Sequence, residues 1–483
     1  MKRIAYASPV NPAPSGISDY SEELLPYLGQ YADVTLYLDD ALRPGNEALA
    51  RAMAVRPLSR LETDQRRQPF DAILYHMGNS PVHAAIWRAM QRVPGVVVLH
   101  EIVLHHFMLQ IAAAENNIAG YLAEARERYG AEGERIAQLM ARGRFTAAAF
   151  DLPFSERVLD RAEGLIAHSR YVTERVASMR PGLPVAHVPM GVPLPPLIER
   201  AEARARLGLP QDALVLASFG HINPFKRVEA VLRAVQVLRA ERADVRYMLV
   251  GSVSPNYDLR SLVARMGMEN TVQITGYVER AAFEDYVAAA DICVNLRHPT
   301  AGETSASLLR LLGAGRPTLV TASGSFTELP PGVAAQVDPD RTEGDLILAY
   351  CRLLASRPDI AAAMGAQARA YVAREHPLDG AAQGYMRFLS QLYGWGDTPK
   401  LRAPLWNLTT YDARRTAHEQ GRQGDTATRR QGGTAPSNLP SAICHLPSDA
   451  AEALTGIGAT EGDHALLRSV AQAVAELAGQ KST

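Results

Sequence analysis

Residues 295–317, NLRHPTAGETSASLLRLLGAGRP, are the stretch from which the fold can be interpreted. An apolar run at 291–294 precedes them, and the polar loop that follows tightens into a turn at 302–305. A leucine-rich segment comes next and is closed by Gly-Arg-Pro at 315–317. Because apolar runs suit buried strands and a glycine followed by a proline ends helices, this order predicts a strand, a loop and a helix.

The turn at the start of this helix suits an anionic ligand that also carries hydroxyl groups. Thr304 or Ser305 can cap the helix, so its unpaired backbone N–H groups and positive dipole end would favour a phosphate. Glu303 would repel a phosphate, but its carboxylate can accept hydrogen bonds from the hydroxyls of a sugar attached to that phosphate. The combination predicts a nucleotide-sugar site.

The composition is that of a large globular protein. The 483 residues suggest about three domains. A formal net charge of -1, with 21% charged and 47% hydrophobic residues, provides no basic surface, so we expect no nucleic-acid partner. The three cysteines, at 293, 351 and 444, lack paired spacing, which argues against a disulfide framework and a cysteine zinc site.

The compartment expected from the sequence is the cytoplasm. Unpaired cysteines fit a reducing environment, and the N-terminal segment MKRIAYASPV becomes polar too early for a signal peptide. No apolar run reaches the length of a membrane span. Peripheral contact with the inner face of a membrane stays open.

Strand-like and helix-like segments alternate along most of the chain, which predicts an α/β protein with parallel, doubly wound sheets. A proline-rich connector at 189–196 divides this alternation, so we expect one Rossmann-like domain at 1–192 and a second at 197–377. The segment 396–483 differs in character, because 413–440 is rich in Arg, Gln, Thr and Gly and predicts disorder. An amphipathic stretch at 464–477 predicts a terminal helix. The predicted strands lie at 2–7, 33–38, 71–76, 96–100, 164–168, 185–188, 214–219, 245–250, 271–275, 291–294 and 317–321.

Two positions in the first domain are candidates for ligand contact. Gly16 lies in the loop between the first strand and the first helix, a corner that faces ligands in parallel sheets, although an ordinary turn is an equally good interpretation. His100 ends a strand, where side chains line the crevice of such sheets. For His100, a functional and a scaffold role both stay open.

A cationic corner is predicted at 220–227, GHINPFKR, between a strand and a helix. Lys226 and Arg227 precede the helix N-terminus, where positive charge opposes the helix dipole. A bound diphosphate would offset that conflict, and the alternative is a solvent-facing pair.

In their order and spacing, these motifs resemble the group 1, or family 4, retaining glycosyltransferases of the GT-B architecture, which has two Rossmann-like domains. The resemblance covers about residues 1–395. The motifs that carry it are PSGISDY at 14–20, IAHS at 166–169, VPMGV at 188–192, FGHINPFKR at 219–227, GE at 302–303 and RP at 316–317.

The resemblance implies a nucleotide-sugar donor bound mainly by the second domain and a saccharide or lipid-linked acceptor bound mainly by the first. A cleft would separate the domains, and a helix at 378–395 would cross back to brace the first. It also implies transfer with retention by a front-face route in which the departing phosphate helps to take the acceptor proton. Neither a metal nor another cofactor is expected.

The resemblance also implies roles for the candidate residues. Lys226, Arg227 and the helix start at Thr304 and Ser305 would stabilise the leaving diphosphate. Glu303 would position the hydroxyls of the donor sugar, and His100 would line its reacting face.

Two positions hold a different residue from the family pattern, and Glu303 falls one residue from the usual place of the family's first glutamate, the one near the sugar. His221 stands where the family usually has an arginine against the diphosphate, and it would contribute hydrogen bonding more than charge. Counted from Gly315-Arg316-Pro317, Arg310 occupies the usual place of a ribose-binding glutamate. Arg310 is therefore either a ligand contact or a solvated helix residue.

Three other interpretations stay open at this stage. The same fold hosts nucleotide-sugar epimerases and phosphorylases, which need no external saccharide acceptor. A protein that binds nucleotide-sugars without catalysing transfer is a further alternative, suggested by Arg310 and His221.

Overall fold

The computed structural model describes residues 1–402 except 145, 243 and 398. Most of the tail at 396–483, with its predicted disorder at 413–440 and predicted helix at 464–477, lies outside the described residues. Within 1–402 the chain forms two α/β domains, as the sequence predicts.

The first domain is built on a parallel sheet. Among the described residues this sheet has seven strands in the order β3-β2-β1-β4-β5-β6-β7. Strands β4 and β5 are buried along their whole length, which is why they appear in the sequence as continuous apolar runs. The strands are β1 (Arg3–Ala7), β2 (Asp33–Leu38), β3 (Ala54–Pro57), β4 (Ala72–Met77), β5 (Gly95–Leu99), β6 (Ala162–Ala167) and β7 (Val185–His187).

Helices connect these strands and cover the sheet. Ser15 caps the first of them by accepting a hydrogen bond from the backbone N–H of Ile17. The helices are α1 (Gly16–Leu28), α2 (Glu47–Ala52), α3 (Leu61–Arg67), α4 (Ala84–Arg92), α5 (His105–Ala114), α6 (Ile118–Ala141), α7 (Glu156–Leu159) and α8 (Arg170–Met179).

The second domain repeats this plan with a smaller parallel sheet. Its six strands, counted in the described residues, have the order β10-β9-β8-β11-β12-β13. They are β8 (Leu214–Phe219), β9 (Val245–Val250), β10 (Val272–Gly276), β11 (Ile292–Asn295), β12 (Thr318–Thr321) and β13 (Ala335–Val337).

The helices of the second domain bury the apolar faces that their sequences predict. In α10 the residues Val228, Val231, Leu232, Val235 and Leu238 are all buried against the sheet. The helices are α9 (Arg200–Leu207), α10 (Val228–Glu241), α11 (Leu259–Arg265), α12 (Arg280–Ala289), α13 (Ala306–Gly313), α14 (Glu343–Ser356), α15 (Pro358–Glu375) and α16 (Leu378–Tyr393).

Helix α16 returns from the second domain to the first. Its Tyr385 hydroxyl lies 3.2 Å from the hydroxyl of Tyr20 on α1. Phe388 packs so closely against Gly164 on β6 that a Cβ atom at this glycine would lie 2.9 Å from the phenyl ring. The first domain therefore obtains part of its core from the end of the described chain.

None of the helices within the described part of the chain is both long and apolar enough to cross a membrane.

Candidate functional site

The candidate site lies where loops from the two sheets meet. The strand order reverses between β1 and β4 in the first sheet and between β8 and β11 in the second. Ligands of doubly wound sheets bind outside the carboxyl ends of the strands at such reversals. Ile102, after β5, donates its backbone N–H to the carbonyl of Ala301, after β11, at 2.8 Å. Both domains therefore contribute to one crevice.

The close approach of the two loops requires a glycine at 302. Gly302 has a φ of 81°, and a Cβ atom there would lie 2.7 Å from Cγ2 of Ile102 in the other domain. This contact places the turn at 302–305 directly against the end of β5.

The N-terminus of α13 has the capping that the sequence predicts. The hydroxyl oxygen of Ser305 accepts a hydrogen bond from the backbone N–H of Leu308 at 3.2 Å. Ser305 is buried, whereas Thr304 is half-buried and faces a cavity between the domains. The start of α13 therefore lies at the cleft, as a phosphate site requires.

Glu303 is buried beside this helix start, and two side chains fix its carboxylate. Arg297, from the loop after β11, donates to one carboxylate oxygen. Thr300 donates its hydroxyl to the other at 3.1 Å. Arg297 was not selected from the sequence, although its position just after a buried strand is a signal that could have identified it.

Lys226 belongs to the same charged cluster. Its ammonium group donates a hydrogen bond to the carbonyl of Phe219 at the end of β8. Gly220 permits this approach, because a Cβ atom there would lie 3.3 Å from Nζ. Burial and then the positive charge of Arg297 lower the pKa of Lys226 to about 7, against the opposing effect of Glu303.

Arg227 lies outside this cluster. Its guanidinium donates through Nε to the buried carboxylate of Glu343 at 2.8 Å. This pairing raises the pKa of Arg227. The structure therefore separates two cations that are adjacent in the sequence, and Arg227 serves the packing of α14 against the loop at 220–227.

His221 lies at the exposed rim of the corner. Its Nδ1 is 3.0 Å from the hydroxyl oxygen of Ser252, after β9. Partial burial and the nearby Lys226 lower the pKa of His221, so at neutral pH it is an uncharged hydrogen-bonding group.

His100 lies in a buried cluster of aromatic rings at the carboxyl ends of β4, β5 and β6. Its Nε2 is 3.0 Å from Nδ1 of His76. The rings of Tyr20 and His168 lie 5.5 and 5.1 Å from its own. Burial and then His168 hold the pKa of His100 well below its usual value, so the imidazole is neutral.

Glu101 is a further acidic group of the site that was not selected from the sequence. It follows His100, and the next residue, Ile102, is hydrogen-bonded to the loop that carries Glu303. Burial and the negative charge of Glu303 raise the pKa of Glu101 to about 7, against the opposing effect of Arg297. A carboxylate directly after a strand-ending histidine could have indicated it.

Gly16 and Arg310 occupy different surroundings. Gly16 begins α1, and apart from its chain neighbours and the backbone of its own helix no atom lies within 4 Å of where its Cβ would be, so this position is open to a ligand. Arg310 is directed at the first domain, where its Nη2 donates to the carboxylate of Glu23 on α1 at 2.7 Å. It is therefore not the solvated helix residue that one interpretation predicted.

A cavity of about 280 Å³ adjoins the start of α13. Both domains form its walls. Lining residues from the first domain include His168, Ser169 and His187, and those from the second include Thr304, Ser305, Glu328 and Tyr371.

Comparisons with known proteins agree with this geometry. Residues 213–356, most of the second domain, match the family model described as "Glycosyl transferases group 1". The D-inositol 3-phosphate glycosyltransferase of Streptomyces coelicolor is 33% identical over 276 residues, which are 53% of this chain and 55% of that protein. The same enzyme of Streptomyces scabiei is 29% identical over 270 residues, 53% of this chain and 54% of that protein. The chain thus spans about half the length of the curated relatives it matches.

Solved structures show the same two-domain fold. Sucrose-phosphate synthase of Thermosynechococcus elongatus superposes with a TM-score of 0.60 and 15% identity, over 82% of this chain and 100% of that one. Anabaena HepE, solved in complex with UDP, has a TM-score of 0.57 and 16% identity, over 81% of this chain and 100% of that one.

These findings define the fold of the protein and the family that its second domain resembles. The second domain matches the group 1 glycosyltransferases over residues 213–356, and the two domains together have the GT-B fold that the motifs predict.

Proposed function

We propose that this protein transfers a sugar, with retention of anomeric configuration, from a nucleoside-diphosphate-sugar donor to a saccharide or lipid-linked acceptor. The observation that carries the proposal is the cluster of Lys226, Arg297 and Glu303 beside the capped start of α13. It combines fixed cations and backbone N–H groups for a diphosphate with a carboxylate for sugar hydroxyls. That combination suits a nucleotide-sugar better than it suits a phosphate or a sugar alone.

Donor binding follows from these contacts. The diphosphate would lie between Lys226 and the first N–H groups of α13, with Arg297 adding positive charge. Glu303, held by Arg297 and Thr300, would accept hydrogen bonds from the sugar. These fixed charges supply the electrostatic stabilisation that a metal ion would otherwise provide, so we propose transfer without a metal or other cofactor.

The chemical step is proposed as a front-face displacement. The bond between the anomeric carbon and the phosphate oxygen breaks, and its electron pair remains on the diphosphate. The acceptor oxygen bonds to the anomeric carbon from the same face, and its proton passes to the departing phosphate oxygen. Lys226 and the α13 N–H groups would stabilise the charge on the leaving group, while His100 and Glu101 would face the reacting sugar from the first domain.

We propose a cytoplasmic location, because Cys293 and Cys351 are free and buried, which fits a reducing compartment. Contact with the inner face of a membrane would bring the protein to a lipid-linked acceptor.

Nucleoside diphosphates should stabilise the protein against heat. UDP, GDP, ADP and TDP would each be tested in a thermal-shift assay, and we expect one to give about 2–4 kcal/mol of stabilisation at 100 to 1,000 times its Kd. Mass spectrometry with sugar donors of that nucleotide, and an acceptor panel that includes inositol phosphates and saccharides, would then detect transfer. Failure of all four nucleotides to bind would contradict the proposal.

The same assay separates the alternatives. Release of free nucleotide that requires an alcohol acceptor supports a transferase, whereas conversion of the sugar without an acceptor supports an epimerase. Formation of a sugar phosphate from inorganic phosphate supports a phosphorylase. Nucleotide binding without turnover across a broad donor panel supports a protein that has lost catalysis.

Donor binding should take up a proton in weakly alkaline solution. Lys226 has a pKa of about 7 in the unliganded protein, and a bound diphosphate would raise it. Binding then requires protonation of the neutral amine, so affinity should fall by up to about tenfold per pH unit above about pH 7. Calorimetry of nucleoside diphosphate binding in buffers of different ionisation enthalpy measures this proton directly.

The proton uptake has a matched control in the protein itself. Lys226→Met keeps the apolar stem but cannot titrate, so its residual affinity should be nearly independent of pH over the same range. A wild-type affinity that is equally flat would contradict the placement of the diphosphate at Lys226.

A further inference from the structure

A charged cluster at the domain interface contains a carboxylate that is only half satisfied. Glu23, on α1, is 3% exposed. Its Oε1 accepts hydrogen bonds from Arg310 on α13, at 2.7 Å, and from Arg280 on α12. Its Oε2 is buried and has no hydrogen-bond partner within the described residues. A buried carboxylate oxygen without a partner is costly, which suggests that this one has a partner in another state of the protein.

This carboxylate contacts two helices of the second domain, α12 and α13. Arg280 is the first residue of α12, which begins at the carboxyl edge of the second sheet after β10. Arg310 lies about 7 Å along the α13 axis from the capping residue Ser305. Helical side chains tilt toward the N-terminus, so the guanidinium of Arg310 reaches back toward the first turn. Glu23 therefore contacts the helix at whose start the diphosphate is proposed to bind.

The chemistry of the free oxygen restricts its partner. An ionised carboxylate only accepts hydrogen bonds, so the partner must be a donor, and a phosphate would be repelled. Arg280 and Arg310 both donate to Oε1 of Glu23, and these two ion pairs hold the carboxylate in place. In a nucleoside diphosphate, the hydroxyl donors next to the phosphates belong to the ribose.

We propose that Glu23, from the first domain, binds the ribose hydroxyls of the donor nucleotide through Oε2. This inference rests on the proposed function, since it assumes that the diphosphate binds at Lys226 and α13. It explains how an arginine can stand at position 310, because the carboxylate is supplied by the opposite domain. It also makes recognition of the ribose depend on the contact between the two domains.

The test compares each ribonucleoside diphosphate with its 2′-deoxy form. Calorimetry would measure binding of UDP, GDP and ADP and of dUDP, dGDP and dADP to the wild-type protein, to Glu23→Ala and to Glu23→Gln. We expect the wild type to prefer the ribonucleotide by about 10- to 100-fold, the effect of one hydrogen bond to a charged group. Glu23→Ala should reduce this preference to less than about threefold, with an intermediate value for Glu23→Gln.

Glu22→Ala is the matched control. Glu22 neighbours Glu23 on α1, but its carboxylate accepts from the backbone N–H of Asn11, at 2.9 Å, and from the side chain of Asn46, at 3.2 Å, within the first domain. Its variant should keep the full preference for ribose. Because the readout is a ratio of two affinities, a general loss of stability would not produce the expected result. If Glu23→Ala does not fold, the same comparison is made with Glu23→Gln.

The binding measurements distinguish failure of the role of Glu23 from failure of the proposed function. An unchanged ratio in the Glu23 variants, equal weakening of both nucleotides, or a wild-type preference for TDP, which lacks the 2′-hydroxyl, would overturn the role of Glu23 and leave the diphosphate site intact. If none of these nucleotides binds the wild type, or if Lys226→Ala binds them equally well, the proposed function fails and this inference fails with it.

Discussion

Replacing Lys226 by alanine is expected to lower the rate of sugar transfer by about 10²–10³-fold, with little change in the fold. The ammonium group is the cation that lies between the end of β8 and the charged pair of Arg297 and Glu303. Its positive charge would offset the charge that develops on the leaving diphosphate, and no neutral side chain can do this. Steady-state transfer rates and a thermal melt of the variant measure both parts of the prediction.

The control for Lys226 is a cation on the following helix. Arg233 on α10 is exposed and pairs with Glu229 one turn away, so Arg233→Ala should change transfer by less than about twofold. A Lys226→Ala variant that transfers sugar at the wild-type rate would remove Lys226 from the diphosphate site.

Replacing Glu303 by glutamine is expected to lower kcat by about 10²-fold while the donor KM stays level or falls. Glutamine leaves Arg297 without its charged partner and donates an amide where the sugar needs an acceptor. The diphosphate would then meet one more uncompensated cation, so its binding should not weaken. The separation of kcat from KM distinguishes this loss of sugar positioning from a general loss of structure.

Glu229→Gln is the matched control for Glu303, because Glu229 is an exposed acid whose partner is Arg233. Its kinetics should equal those of the wild type. A Glu303→Gln variant in which KM rises strongly and kcat is unchanged would show that Glu303 only contributes to ground-state binding.

Much of the fold follows from local sequence. Strands β2, β8 and β9 begin and end where their apolar runs do, and the others lie within a few residues of the prediction. The two strands that were not predicted, β3 and β13, are four and three residues long and lie at the sheet edges. Such short segments carry little of the apolar pattern that marks a buried strand, so pairing with a neighbour defines them.

The candidate site could be predicted only in part from the sequence, because its contacts join residues that are far apart in the chain. The sequence predicted a cap of α13 at Thr304 or Ser305, because a cap depends on neighbours in the chain, and Ser305 provides it. Arg297, Glu101 and Glu23 were not selected, since each is defined by a partner across a loop or across the cleft. The roles assigned to His100, Glu303 and Lys226 stay predictions until the variants are measured.

The return of α16 to the first domain affects the order in which the protein can fold during synthesis. Tyr385, Met386 and Leu389 belong to the same core cluster as Tyr20 and Leu24 of α1. A growing chain that has completed only the first sheet still lacks these side chains. The apolar surface of α1 therefore stays uncovered until the second domain and α16 have been synthesised. The domain that begins first is thus finished last, and a fragment cut at the linker would expose that surface to aggregation.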